Sequence, residues 1–288
     1  TQMQDAVPTT LGRTFQAYRS FVKRDVRHLL SAAEEMKSLN LGGTAIGNAI
    51  NATPEYVENI TAFVSEEAGI TFMQAEDLFD ATQNVDGFVR VSAAIKTAAV
   101  NLSKMSNDLR LLSSGPRAGI GEINLPAKQN GSSIMPGKVN PVIPEVVSQV
   151  AFRVIGNDLT ITMAAESGQL ELNAFEPIIF HSLFESIDCL AHAVATLTVN
   201  CIQGIQANEL ACYKQVEESA GIATALCPVI GYQKASAIAK ESLKTGRTVR
   251  ELVLEKGLFS VEEADSILDL KRMAGIPAEL VSLASKAV

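Results

Sequence analysis

The chain of 288 residues contains no tryptophan, and aromatic residues make up only 5% of it. A core built on large aromatic anchors is therefore excluded. Hydrophobic residues still reach 47% and are mostly Ala, Leu, Ile and Val, a set that suits helices packed on helices. Cations are also short, with 24 Lys and Arg against 32 Asp and Glu and a net charge of -8. Nucleic acid is bound by clustered Lys and Arg, so the balance argues against such a partner and leaves an anionic ligand to a local cationic pocket. The four cysteines at 189, 201, 212 and 227 form no Cys-x-x-Cys pair, which signals neither a zinc site nor a disulfide framework and points to the reducing cytoplasm. No run of 18 uncharged apolar residues appears, and the opening TQMQDAVPTT has neither a basic region nor an apolar stretch. No membrane partner and no targeting signal are expected.

What is present is helical periodicity. Phe15, Tyr18, Val22, Val26, Leu29, Ala33 and Met36 step by three and four, predicting a long bundled helix that ends at Gly42-Gly43. Thr53-Pro54 reads as an N-cap followed by proline at the first helical position, opening a short helix that stops near Gly69. A second seam of Phe88, Val91, Ile95, Ala98, Leu102, Met105, Leu109 and Leu112 breaks at Gly115-Pro116. Two more long helices are expected over 144–166 and 176–208, separated by Ser167-Gly168-Gln169. Beyond Asn208 the elements shorten, with capping-box patterns at Thr248-x-x-Glu251 and Ser260-x-x-Glu263. These patterns predict an all-α protein, a long-helix bundle over 1–208 and a small helical C-terminal domain over 209–288.

Residues 117–141 are rich in Gly and Pro, and a loop of that length in a compact domain is usually functional. Within it stands GSSIMPGKVNP: Gly131, Ser132, Ser133, Ile134, Met135, Pro136, Gly137, Lys138, Val139, Asn140 and Pro141. Its glycines permit movement of a lid, and Lys138 and Asn140 supply a charge and an amide suited to a carboxylate. Composition alone leaves an ordinary glycine-rich connection equally open. A second candidate is the stripe His181, Glu185, Cys189 and His192 on one helix face. It stretches over three turns, too far for one ion, so no metal site is expected there. His28 stands among Lys23, Arg24 and Arg27 and reads as a surface residue. Arg117 and Glu122 read as ion-pair anchors of the loop, with support of an active site as the alternative.

The loop resembles the signature of the fumarase and aspartase superfamily, Gly-Ser-x-x-Met-x-x-Lys-x-Asn-Pro, and meets it at Gly131, Ser132, Met135, Lys138, Asn140 and Pro141. SGPRAGIGEINLP before the loop, QLELNAFEPII after it and GYQKASAIAKESLKTGRTVREL near the end are similar to the same superfamily, so the resemblance covers essentially the whole chain. Val142-Ile143-Pro144-Glu145 after the signature, Glu176 before Pro177, and Gln2 in Thr1-Gln2-x-Gln4-Asp5-Ala6 favour the aspartase branch over the fumarase branch. The Gly-Arg that leads that last motif is missing, as is the superfamily's N-terminal substrate-binding segment. The chain therefore looks like the C-terminal part of a longer enzyme.

The resemblance implies a carbon–nitrogen lyase that converts L-aspartate reversibly to fumarate and ammonia without a cofactor. It makes Ser132 the general base and gives substrate binding to Thr1, Gln2, Ser133, Lys138 and Asn140, with Gly131, Ile134, Met135, Pro136, Gly137 and Pro141 as the loop that carries them. It also implies a homotetramer whose long helices share one core. Two alternatives stand beside this reading: a fumarase-type hydratase, in which water leaves instead of ammonia, and a catalytically inactive scaffold fragment.

Overall fold

The computed structural model describes residues 2–275. In chain order its elements are α1 (Leu11–Glu35), β1 (Ser38–Leu39), α2 (Pro54–Ala68), β2 (Met73–Gln74), α3 (Leu78–Gln83), α4 (Asp86–Leu112) and β3 (Ile123–Asn124). There follow α5 (Val142–Glu166), α6 (Glu176–Asn200), β4 (Gln206–Ala207), α7 (Glu209–Glu218), α8 (Cys227–Ile230), α9 (Tyr232–Thr245), α10 (Val249–Glu255), α11 (Val261–Ile267) and α12 (Leu270–Met273). The chain divides into two compact units. A bundle unit comprises Tyr18–Ile120 and Leu125–Ile205, and a small unit comprises Thr1–Ala17, Gly121–Asn124 and Gln206–Val288. The boundary expected near 208 stands beside the change of unit at Gln206, and residues 1–17 and 121–124 group with the small unit.

In the bundle unit α5 packs against both α4 and α6. The α4 seam buries Ile95, Ala98, Leu102, Met105 and Leu109, facing elements that bury Val147, Ala151, Val154 and Ile161 from α5 and Ile179, Leu183, Leu190 and Leu197 from α6. Two adjacent polar residues pin the middle helix to both neighbours. Buried Asp158 accepts the Ser92 hydroxyl at 2.8 Å and the Lys96 ammonium at 2.5 Å. Asn157 donates to the Ser182 carbonyl at 3.2 Å, to Glu185 at 2.8 Å and to the Ser186 hydroxyl at 3.1 Å. Buried polar groups persist when they are paired in this way, and each pair admits one register of sliding.

The helix α1 meets α4 through three rungs: Tyr18 donates to Asp108 at 2.9 Å, Asn101 to Asp25 at 2.8 Å, and Arg90 pairs with Glu35 at 2.7 Å. As α1 numbers rise the α4 numbers fall, so the two helices run antiparallel. The seam expected for α1 is corrected here: Tyr18, Asp25 and Ala32 are the buried positions, while Val22 and Val26 are exposed. The helix also ends at Glu35 rather than at Gly42-Gly43, because Ser38–Leu39 pairs in parallel with Met73–Gln74. At α2 the hydroxyl of Thr53 accepts the Tyr56 N–H, Pro54 opens the helix, and Gly69 closes it at φ 65°.

The turn into α6 is fixed by Asn173, 3% exposed. Its amide donates to the carbonyls of Ala164 and Ala165 at 3.0 and 3.1 Å, and its oxygen accepts the Phe175 N–H at 2.8 Å. One side chain thus satisfies orphan groups at the end of one helix and the start of the next. The expected extension of α6 to Asn208 is also corrected. The helix stops at Asn200, a short 3-10 turn follows, and Gln206–Ala207 pairs antiparallel with Ile123–Asn124 in the small unit. By length and composition Glu176–Gly204 suffices to cross a membrane, yet it carries Glu185 and Asp188 and buries its inner face against α5.

The small unit is built on Ile222, Leu226, Ile238, Val249, Leu252, Val253 and Ala264. Both expected capping boxes are formed, Thr248 with Glu251 and Ser260 with Glu263. The N-terminal stretch joins this unit through Ser219, which donates to Asp5 at 2.8 Å, and through Arg13, which donates to the Gly275 carbonyl at 3.0 Å.

Candidate active site

The loop of 131–141 lies in the bundle unit directly before α5. Its base is a short antiparallel bridge between Asn130 and Val139, and the Gly131 N–H donates to the Lys138 carbonyl at 2.9 Å. The tip is turned by the Lys138 N–H donating to Met135 at 3.2 Å, with Gly137 at φ 79° where a side chain would be strained. At Gly131 the reason for glycine is space: a Cβ would stand 2.8 Å from the Lys138 oxygen. Asn140 then hands the chain to the helix, its carbonyl accepting the Val142 N–H at 2.9 Å.

Ser132 is half-buried at the shoulder of this hairpin, and its Oγ accepts the Ile134 N–H at 3.1 Å. A main-chain donor on a serine oxygen favours the anionic form of that oxygen. Ser133, Met135, Pro136 and Lys138 are exposed, Asn140 and Pro141 are half-buried, and Ile134 is 86% exposed. Serine, lysine and asparagine are thus brought onto one hairpin, which sets a hydroxyl, a cation and an amide within eleven consecutive residues.

Gln2 is exposed in the small unit, and Thr1 lies outside the described residues. Upstream of the loop, the Ser114 hydroxyl donates to the Leu111 carbonyl at 2.6 Å and accepts the Ile120 N–H at 3.0 Å. Arg117 is exposed, and no ion pair joins it to Glu122 among the described residues. Burial holds the Glu122 carboxyl above the usual carboxylate range. His28 is exposed.

On the stripe of α6, Glu185 is engaged by hydrogen bonds from Asn157 and from Arg153, the latter at 2.9 and 3.1 Å, and these hold its carboxyl below the usual range. His192 shares its Nδ1 with the Asp188 carbonyl at 2.8 Å. These contacts use the stripe to join α5 and α6 and to close a local turn. Among the described residues no three His, Cys, Asp or Glu side chains converge as a metal set. Sequence reasoning passed over Asn157, Asp158 and Asn173 as structural keys, although an Asn-Asp pair inside an apolar helix is itself a signal of buried pairing.

The model of the lyase family matches residues 1–156, and that of the fumarase C C-terminus matches residues 222–275. The chain belongs to the fumarase and aspartase superfamily of lyases. Within the superfamily it is 54% identical to an aspartate ammonia-lyase of Helicobacter pylori over 95% of its own length and 58% of that protein's. Against the aspartate ammonia-lyase of Escherichia coli K12 the identity is 49%, over 95% of this chain and 57% of that one. Among solved structures, a fumarate lyase:delta crystallin of Brucella melitensis bound to cobalt is similar at a TM-score of 0.92 with 50% identity, covering 95% of this chain and 59% of that one. A class II fumarase of Schistosoma mansoni is similar at a TM-score of 0.90 and 32% identity, over 95% and 60% of the two chains. The chain therefore spans about three fifths of the length of these superfamily members, a share that includes the whole loop of 131–141.

Proposed function

We propose that this chain carries the proton-abstracting loop of an aspartate ammonia-lyase, an enzyme for the reversible conversion of L-aspartate to fumarate and ammonia. The observation that carries the reading is the Gly131 to Pro141 hairpin, in a chain 46–54% identical to aspartate ammonia-lyases. Identity to the fumarase neighbour is lower, at 32%, and Gln2 and Glu176 also favour the aspartase branch.

The Cβ hydrogen of aspartate is barely acidic, and removing it places a second negative charge on the neighbouring carboxylate. Donors aimed at that carboxylate act where the charge develops, in the transition state. Lys138, Asn140 and Ser133 supply such donors, and the superfamily resemblance assigns Thr1 and Gln2 to the substrate's amine or its other carboxylate. Ser132, as an alkoxide, takes the Cβ proton. The Ile134 N–H lowers the energy of that alkoxide, and loop closure strengthens this hydrogen bond by lowering the local dielectric. The electron pair left at Cβ then forms the double bond as the Cα–N bond breaks, and the amine departs as ammonia. This chemistry needs no cofactor.

A homotetramer is part of the proposal. Phe152, Ile155, Leu159 and Met163 form an exposed apolar stripe along α5, and Phe184, Ile187 and Val194 another on α6. Exposed stripes of this size on long helices call for partner helices. A cytoplasmic location is proposed as well, supported by four cysteines that are all free.

The test is fumarate absorbance on adding L-aspartate and, separately, L-malate to the chain, alone and with the N-terminal segment of a relative. Fumarate from aspartate supports the reading. Fumarate from malate alone moves it to a hydratase, and none from either in an assembled mixture leaves the inactive scaffold.

A further inference from the structure

The small unit holds a half-open cavity of about 280 Å³. Its walls come from the extended stretch after Met3, the first turn of α1, Glu122 beside β3, and α7 with the 3-10 turn that follows it. Two carboxyl groups, Asp5 and Glu122, line it, and its lining includes no Lys, Arg or His. Asp5 already accepts the Ser219 hydroxyl at 2.8 Å. Glu122 has no ion-pair partner among the described residues, and burial alone lifts its carboxyl above the usual range. The thiol of Cys212, beside it in the same wall, is raised by burial and then by the charge of Glu122. The apolar part of the wall includes Leu11, Val216 and Ile222.

We propose that this cavity binds a small primary ammonium ion, an alkylamine of a few carbons, with its charged head on Glu122 and its chain against Leu11, Val216 and Ile222. A partly buried carboxylate without a counter-ion is unfavourable until a cation pairs with it. An ammonium group makes charge-assisted hydrogen bonds that are stronger than those of a neutral donor. A dicarboxylate or an amino acid would bring negative charge to a wall with two carboxyls and no cation, so the cavity is not a second site for an acidic substrate. Size sets the chain length. An apolar cavity of roughly 150 Å³ accepts benzene, so 280 Å³ holds an amine with a short alkyl chain. The inference stands on the small unit alone and does not rest on the reaction proposed above.

The experiment is isothermal calorimetry of the 288-residue chain with n-butylammonium chloride at neutral pH, with sodium butyrate as the counter-probe of equal chain length. Saturable uptake of one butylammonium per chain is expected, with none of butyrate. Glu122→Gln keeps the shape and removes the charge, and should weaken uptake by at least about tenfold. Val216→Phe fills the cavity and should abolish uptake with Glu122 intact. Non-saturating heat, equal uptake of butyrate, or unchanged affinity in Glu122→Gln overturns the proposal. If Glu122→Gln loses helical circular dichroism, Val216→Phe decides: retained uptake refutes the site and lost uptake supports it.

Discussion

Replacing Gly131 by alanine tests how tightly the hairpin before α5 must be closed. The added Cβ would lie 2.8 Å from the Lys138 carbonyl oxygen and 3.1 Å from both its carbonyl carbon and its Cγ, where ordinary contact begins at 3.4 Å. The two sides of the loop must part by the difference between 3.4 and 2.8 Å, about half an ångström. That opening breaks or lengthens the Gly131 to Lys138 hydrogen bond, a loss of about 1 kcal/mol. It also displaces Ser132, the next residue. Misplacing reacting groups by about 1 Å lowers a rate by on the order of a hundredfold, so half that displacement should lower kcat by roughly tenfold. The exposed loop contributes little to either core, so the melting temperature should stay close to that of the parent chain. Amide hydrogen exchange at residue 131 should speed up, and under the proposed function fumarate formation from L-aspartate should fall when the variant is assembled with the N-terminal segment of a related aspartate ammonia-lyase. An alanine variant with parental exchange at 131 and parental turnover would refute the claim that the closed hairpin positions the serine.

Other consequences follow from named contacts. Asn173→Ala removes three hydrogen bonds, one buried and two part-buried, each worth about 1 kcal/mol, and should lower the stability of the bundle unit by about 3 kcal/mol in urea denaturation; a loss well under 1 kcal/mol would contradict the role given to this turn. Thr248→Ala dismantles one capping box and should cost about 1 kcal/mol, seen as an earlier urea transition of the small unit. Because burial raises the pKa of Glu122, its charged form costs more in the fold than in the unfolded chain. Its contribution to stability is full below the unfolded carboxyl pKa and is lost as pH rises through the folded value. Glu122→Gln should therefore flatten the small unit's thermal stability between mildly acidic and neutral pH, and an unchanged pH profile would contradict burial as the cause of the shift.

Much of the fold was legible because its signals are local. Thr53-Pro54 and Gly69 bound α2 as their cap chemistry requires, both capping boxes formed, and the α4 seam from Ile95 to Leu109 is buried as its spacing implied. The errors stand where distant segments decide. Nothing near Met36 announces that Ser38–Leu39 will pair with Met73–Gln74, and nothing near Asn200 announces that Gln206–Ala207 will pair with Ile123–Asn124. Along α1 the periodic apolar residues were assigned inward, whereas Asp25 is buried because Asn101 meets it, and Val22 and Val26 face outward. The loop was readable for the opposite reason: its serine, lysine, asparagine and glycines lie within eleven consecutive residues. The internal support of the hairpin, with Ile134 donating to Ser132 and Lys138 accepting from Gly131, depends on backbone geometry that residue types alone do not reveal.

The central claim is that Ser132 is the base that removes the Cβ proton of L-aspartate. The most direct test compares the parent chain with Ser132→Ala, each assembled with the N-terminal segment of a related aspartate ammonia-lyase, by following fumarate from L-aspartate and checking that helical content is equal. The account predicts turnover by the parent and a loss of at least about a thousandfold in the variant, since the remaining donors cannot replace a base. A variant that keeps its fold and a rate near the parent's would contradict it and move proton abstraction to another residue.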